Sequence, residues 1–69
     1  MGKAPFIFGH AIKDGVRLLK EPDEYADTLY VLQKDEAVII DPNTDTDNYY
    51  LVTVRNVSGY ILKTDIIKK

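Results

Sequence analysis

No stretch restricts this chain more than residues 49–61. Tyr49-Tyr50-Leu51-Val52-Thr53-Val54 places Tyr50, Val52 and Val54 on one side and Tyr49, Leu51 and Thr53 on the other. A two-residue period of this kind belongs to a half-buried strand, because successive side chains of an extended chain point to opposite faces. Arg55-Asn56-Val57-Ser58 then reads as a tight turn, and Gly59-Tyr60-Ile61 opens a second strand. Together they predict the central hairpin of a small all-β domain.

The rest of the chain supplies strands of similar length. Phe6-Ile7-Phe8-Gly9-His10-Ala11-Ile12 alternates imperfectly, with Phe6, Phe8 and Ile12 on one side, and reads as a strand or N-terminal arm in which Gly9 marks a bulge. Lys13-Asp14-Gly15 carries an Asp-Gly turn signal before the short strand Val16-Arg17-Leu18-Leu19. Residues 20–27 form a polar loop broken at Pro22, long enough for one helical turn at 24–27. No amphipathic helix of useful length occurs anywhere. Residues 28–32 read as a strand, 33–36 as a turn, and Ala37-Val38-Ile39-Ile40 as the best-buried strand, being the most β-branched run. Residues 41–48 are a second long loop in which every residue favours turns. After the hairpin come a short turn of 3₁₀ length at 63–65, a closing strand at Ile66-Ile67, and two lysines expected to fray. The expectation is five or six short antiparallel strands closed into a barrel, since closure removes exposed edges. One domain spans 1–69, with an N-terminal strand or arm in 1–13 and the barrel in 14–67.

Composition narrows the function classes. A 69-residue chain buries only about 60% of the surface it exposes when unfolded, so its core is small. With no cysteine, neither a disulfide nor a thiolate-bound zinc can reinforce that core. Nine basic against eleven acidic residues give a net charge of −2, and the basic ones are scattered apart from Lys63, Lys68 and Lys69. A nucleic-acid binder would show a basic stripe instead. No apolar run approaches a membrane span or a signal peptide, and Phe6 stands where a myristoylation motif needs Ser or Thr. The chain as written therefore reads as cytoplasmic, and this inference lapses if it is cut from a longer protein.

The order and spacing of these segments resemble the SH3 superfamily, in particular the bacterial SH3-like (SH3b) domains, over residues 15–67. Gly15-Val16-Arg17 with Pro22 looks like the opening of those domains. Residues 29–40 look like their strand–turn–strand, Tyr49-Tyr50 like the SH3 aromatic pair, and Gly59-Tyr60-Ile61 like the Gly-aromatic-aliphatic step. Four positions depart from the pattern. Asp35 replaces a turn glycine, which costs about 1 kcal/mol if the backbone is left-handed there. Tyr49 replaces the groove tryptophan, and Leu62 and Asp65 stand where peptide-binding SH3 domains carry proline and tyrosine. The resemblance implies an SH3-like barrel and a binding role, but the aromatic row that a proline-rich ligand needs is poorly represented.

Catalysis finds little to work with. His10 is the only histidine and Ser58 the only serine, and Ser58 falls in the predicted hairpin turn. Asp41, Asn43 and Asp45 have calcium-loop spacing, yet Thr46 and Val52 stand where such a loop needs Gly and Glu, so no metal or other cofactor is expected. Asn56-Val57-Ser58 is a formal glycosylation sequon, read here as a turn. The best candidate is the surface between the two long loops. Tyr49 is expected on its floor, with Glu21, Asp23, Glu24 and Tyr25 on one side, Asp45 and Asp47 on the other, and Tyr60 as a further ligand-binding residue. An acidic rim around tyrosines suits a basic protein or peptide partner. The expected role is a non-catalytic binding module or adaptor. The alternatives are a peptidoglycan-targeting domain of a larger exported protein, as SH3b domains often are, and a structural subunit or homo-oligomer docking through the Phe6–Phe8 strand.

Overall fold

The computed structural model describes residues 6–42 and 47–68. Seven strands occur in chain order: β1 (Ile7–Ala11), β2 (Val16–Leu19), β3 (Thr28–Leu32), β4 (Ala37–Ile40), β5 (Tyr49–Val54), β6 (Val57–Leu62) and β7 (Ile66–Lys68), with a 3₁₀ turn at Lys63–Asp65. Every pairing is antiparallel, in the order β3-β2-β6-β5-β4-β1-β7. The all-β architecture is as expected. Two details differ: there are seven strands, because the first and last apolar runs both pair, and the sheet is an open strip, not a closed barrel. Its ends are β3 and β7, which do not pair with each other. Among the described residues no helix is long and apolar enough to cross a membrane.

One side of the strip holds the core. Leu18, Leu32, Ile40 and Ile61 are fully buried there with Val16, Val38 and Val52, and each such side chain stabilises the fold by about 1.5–3 kcal/mol relative to exposure. The β5–β6 hairpin runs in unbroken register from Tyr49↔Leu62 to Val54↔Val57. Its turn is therefore only Arg55-Asn56, two residues shorter than the sequence predicts, and both have positive φ, 50° and 68°. That is the mirror-image turn whose twist matches the flanking strands.

Glycines let the strip bend. A Cβ on Gly59 would stand 2.6 Å from the Leu19 carbonyl oxygen and 2.9 Å from Leu18 Cγ, so β2 crosses β6 at a distance only glycine allows. Gly9 plays the same part where β7 crosses β1, its would-be Cβ lying 2.8 Å from the Ile67 carbonyl oxygen. Gly9 sits in continuous register with Val38, so it marks a close approach and not the expected bulge. The bulge lies between β2 and β3, where the register shifts at Leu18/Leu19.

One expectation about burial is corrected, that β4 is the best-buried strand, and the strand-or-arm alternative for the N-terminal run is resolved. Gly9 and Ala11 turn inward from β1, leaving Phe6 and Phe8 66% and 52% exposed. The small residues go inside because β7 passes so close. From Gly9 to Ala11, β1 has β4 or β7 beside it at every residue, so it is a strand of the sheet and not an arm. Strand β4 alternates exposed Ala37 and Ile39 with buried Val38 and Ile40, and β2 is the better buried.

Candidate functional site

Strands β2, β5 and β6, with the β1–β2 turn, the β2–β3 loop and the 3₁₀ turn, build a cleft of about 120 Å³ around Tyr49, lined also by Lys13, Gly15, Arg17, Leu19, Glu24, Leu62 and Asp65. Tyr49 and Leu62 face each other across the β5–β6 ladder. Successive residues of β2 point to opposite faces, so Leu18 enters the main core while Leu19, also buried, lies beneath the cleft. Gly15, with φ of 84°, turns the chain from Lys13 into β2.

The loop between β2 and β3 forms one wall, and its shape follows from its polar residues. Lys20 N–H donates to the Asp27 carbonyl at 2.9 Å, closing the loop at its base. Asp23 makes a turn in which its carbonyl accepts from Ala26 N–H and its carboxylate from Tyr25 N–H. Arg17 fastens the loop to β2, with Nε donating to Thr28 Oγ1 at 2.7 Å and Nη2 to the Ala26 carbonyl at 3.2 Å. On the opposite wall, Lys13 Nζ lies 3.8 Å from Asp65 Oδ1.

Of the residues singled out from the sequence, Tyr49 and Glu24 share this cleft. Tyr60 is half-buried in the next row of the outer face, opposite Leu19 and Leu51. Tyr25 is 85% exposed and lines a separate hollow with Lys20, Glu21, Asp23 and Asp27. Asp47 is exposed just before β5, and Asp45 lies outside the described residues, as does most of the loop with calcium-like spacing. The described lining carries two cations and two carboxylates, where the sequence pointed to an acidic rim. Lys13, Arg17, Leu19, Leu62 and Asp65 were not singled out as site residues. Leu62 and Asp65 did carry a signal, since both were noted in the sequence as departures from the proline and tyrosine of the resemblance.

A second polar cluster joins two turns. Tyr30 OH donates to Glu36 Oε2 at 2.6 Å, Gln33 N–H to Glu36 Oε1 at 3.0 Å, and Arg55 Nε to Glu36 Oε2 at 3.2 Å. The Tyr30 hydroxyl, the Gln33 amide and Arg55 stabilise the carboxylate and hold Glu36 below its ordinary value. The same hydrogen bond raises Tyr30, with burial adding to it, and Glu36 raises Arg55. Arg55 also lies 5.9 Å from the centre of the Tyr30 ring. At the end of the sheet, Lys63 and Lys68 approach the Tyr50 ring to 5.4 and 5.2 Å, so two of the three C-terminal lysines are gathered on one aromatic.

The fold matches part of the solved structure of NlpC2 from Trichomonas vaginalis with a TM-score of 0.84 and 19% sequence identity, over 97% of this chain and 24% of that one. What the two share is the fold, which in this chain is all-β. This chain thus spans about a quarter of that protein's length. No protein-family description matches the sequence, and no curated protein matches it.

Proposed function

We propose that this chain is a non-catalytic binding module of the SH3b type that recognises a peptide segment of a protein partner through the Tyr49 cleft. The cleft's composition carries this reading. Tyr49, Leu19 and Leu62 offer apolar surface, while Lys13 and Arg17 stand with Glu24 and Asp65 around it. A peptide bearing one apolar or aromatic side chain beside charged ones is the ligand class that fits such a surface. Arg17 is already committed to the loop and Lys13 lies beside Asp65, which leaves Glu24 to favour a basic residue on the partner. The adaptor reading places the module in the cytoplasm and needs no cofactor.

The alternative is a cell-wall module, in which the peptide belongs to peptidoglycan. The resemblance to SH3b domains, and a fold shared with part of a longer chain, favour it, and it requires an exported parent protein.

Affinity capture separates the readings, with wild type and Tyr49→Ala each exposed to bacterial lysate and to purified sacculi. The adaptor reading expects a lysate protein retained by wild type and weakened at least about tenfold by the substitution, as for a buried aromatic anchor. Retention on sacculi with the same loss transfers the site to the wall reading. Equal capture by both forms means the cleft is not the site.

A further inference from the structure

The loop between β2 and β3, residues 20–27, has no apolar anchor. Each of its residues is exposed except Ala26, which is half-buried, and none belongs to the core. Burial therefore does not fix where the loop stands, and its hydrogen bonds must. Most of these are internal: Lys20 N–H donates to the Asp27 carbonyl, Asp23 N–H to the Glu21 carbonyl, and Ala26 and Tyr25 N–H to Asp23. Among the described residues, the side chain that ties the loop to the sheet is Arg17. Its Nε donates to Thr28 Oγ1 on β3 at 2.7 Å, which aims the guanidinium, and its Nη2 reaches the Ala26 carbonyl at 3.2 Å.

The grip falls on the residue that closes a turn. Ala26 accepts from Arg17 through its carbonyl and donates through its N–H to the Asp23 carbonyl at 3.0 Å. Inside that turn stand Glu24, which lines the Tyr49 cleft, and Tyr25, which lines a separate hollow. Arg17 also reaches across the weak point of the ladder, since the β2–β3 register shifts between Leu18 and Leu19 and the backbone rungs are interrupted there.

We propose that Arg17 is a positioning residue of the cleft: it holds the 23–26 turn so that Glu24 stands at the cleft with Tyr49, and it thereby sets the preference of the site for a cationic ligand. The inference rests on the reading of the cleft as a binding site and deepens it by naming what sets its charge preference. Lysine does not replace arginine in this role, because an ammonium carries the same charge without the planar fork that reaches two acceptors in fixed geometry. Arg17→Lys keeps that charge at the cleft, so a changed preference reports the position of Glu24 and not the net charge.

NMR titration of the full chain with two N-acetylated, C-amidated dipeptides tests it: phenylalanyl-lysine, and phenylalanyl-norleucine, which lacks only the charged group. Wild type is expected to bind the lysine peptide about two- to fivefold more tightly, the range of an exposed ion pair, with shifts at Tyr49, Glu24 and Leu62. Glu24→Gln erases that preference. Arg17→Lys and Thr28→Val, each checked for an unchanged melting profile, erase it too and speed amide exchange at Ala26. Arg17→Lys combined with Glu24→Gln brings no further change, the non-additivity of two residues acting through one contact. A lysine preference that survives both Arg17→Lys and Thr28→Val overturns the proposal and leaves the cleft reading intact, as does exchange at Ala26 that matches wild type in both. Equal binding of the two peptides by wild type overturns it as well. If neither peptide shifts the cleft residues of wild type, the cleft reading itself fails and this role falls with it.

Discussion

Single residues set the limits of this fold by how closely one backbone passes another. At Gly59 the obstacle to a side chain is the Leu19 carbonyl, a backbone atom that cannot rotate away. Gly59→Ala is expected to destabilise the domain by about 2–3 kcal/mol, as overpacking at a rigid site does, measured as a lower urea midpoint with unchanged slope. Asp35 presents the opposite case. Its φ of 69° lies in the left-handed region, so Asp35→Gly relieves strain and should raise stability by up to about 1 kcal/mol. The departure from a turn glycine visible in the sequence is therefore a real strained position. A variant no more stable than wild type would mean that the aspartate side chain compensates for the strain.

Strand and turn identities were largely legible, and the reasons can be read from particular elements. The limits of β3, β4 and β5 coincide with the predicted runs, because each is a β-branched or aromatic stretch bounded by turn formers. The inward face of β1 was not legible: its imperfect alternation leaves open whether Phe6 and Phe8 cover the core or stand exposed, and the close passage of β7 at Gly9 decides it. The Glu36 cluster was hidden for a related reason, since residues 30, 36 and 55 meet only once the hairpin registers are fixed. That cluster ties the β3–β4 turn to the β5–β6 turn, and its effect depends on pH. Glu36 titrates below its ordinary value in the folded state. Its contribution is therefore present above the unfolded value of about 4.3 and is lost as pH falls through the lower folded value. Glu36→Gln should remove that share of the acid sensitivity, seen as a shallower fall in melting temperature below about pH 4.3. An identical fall in both proteins would show that the hydrogen bonds do not discriminate the charged form.

At the scale of the whole molecule, the strip has two edges, and each is protected. β7 is three residues long and ends in Lys68, while β3 carries the bulge opposite Leu18 and Leu19, both devices that discourage edge-to-edge growth. Closure was expected because it removes edges, and a guarded open strip meets the same need differently. The strip also has a seam. β2 meets β6 through a single register pair, Leu19↔Tyr60, so the β2–β3 pair is joined to the rest by its buried side chains and hardly by its ladder. The Tyr49 cleft straddles this seam, with Arg17, Leu19 and Glu24 on one bank and Tyr49 and Leu62 on the other. A ligand gripping both banks does what the missing rungs would have done. Amide exchange of the chain with and without its captured partner should show β2 and β3 slowing most on binding and β1 and β4 least, whereas uniform slowing would count against a bridging ligand. The cleft would then act as a clasp: occupancy is recorded as stiffness in β3, a strand that lends the cleft no lining residue.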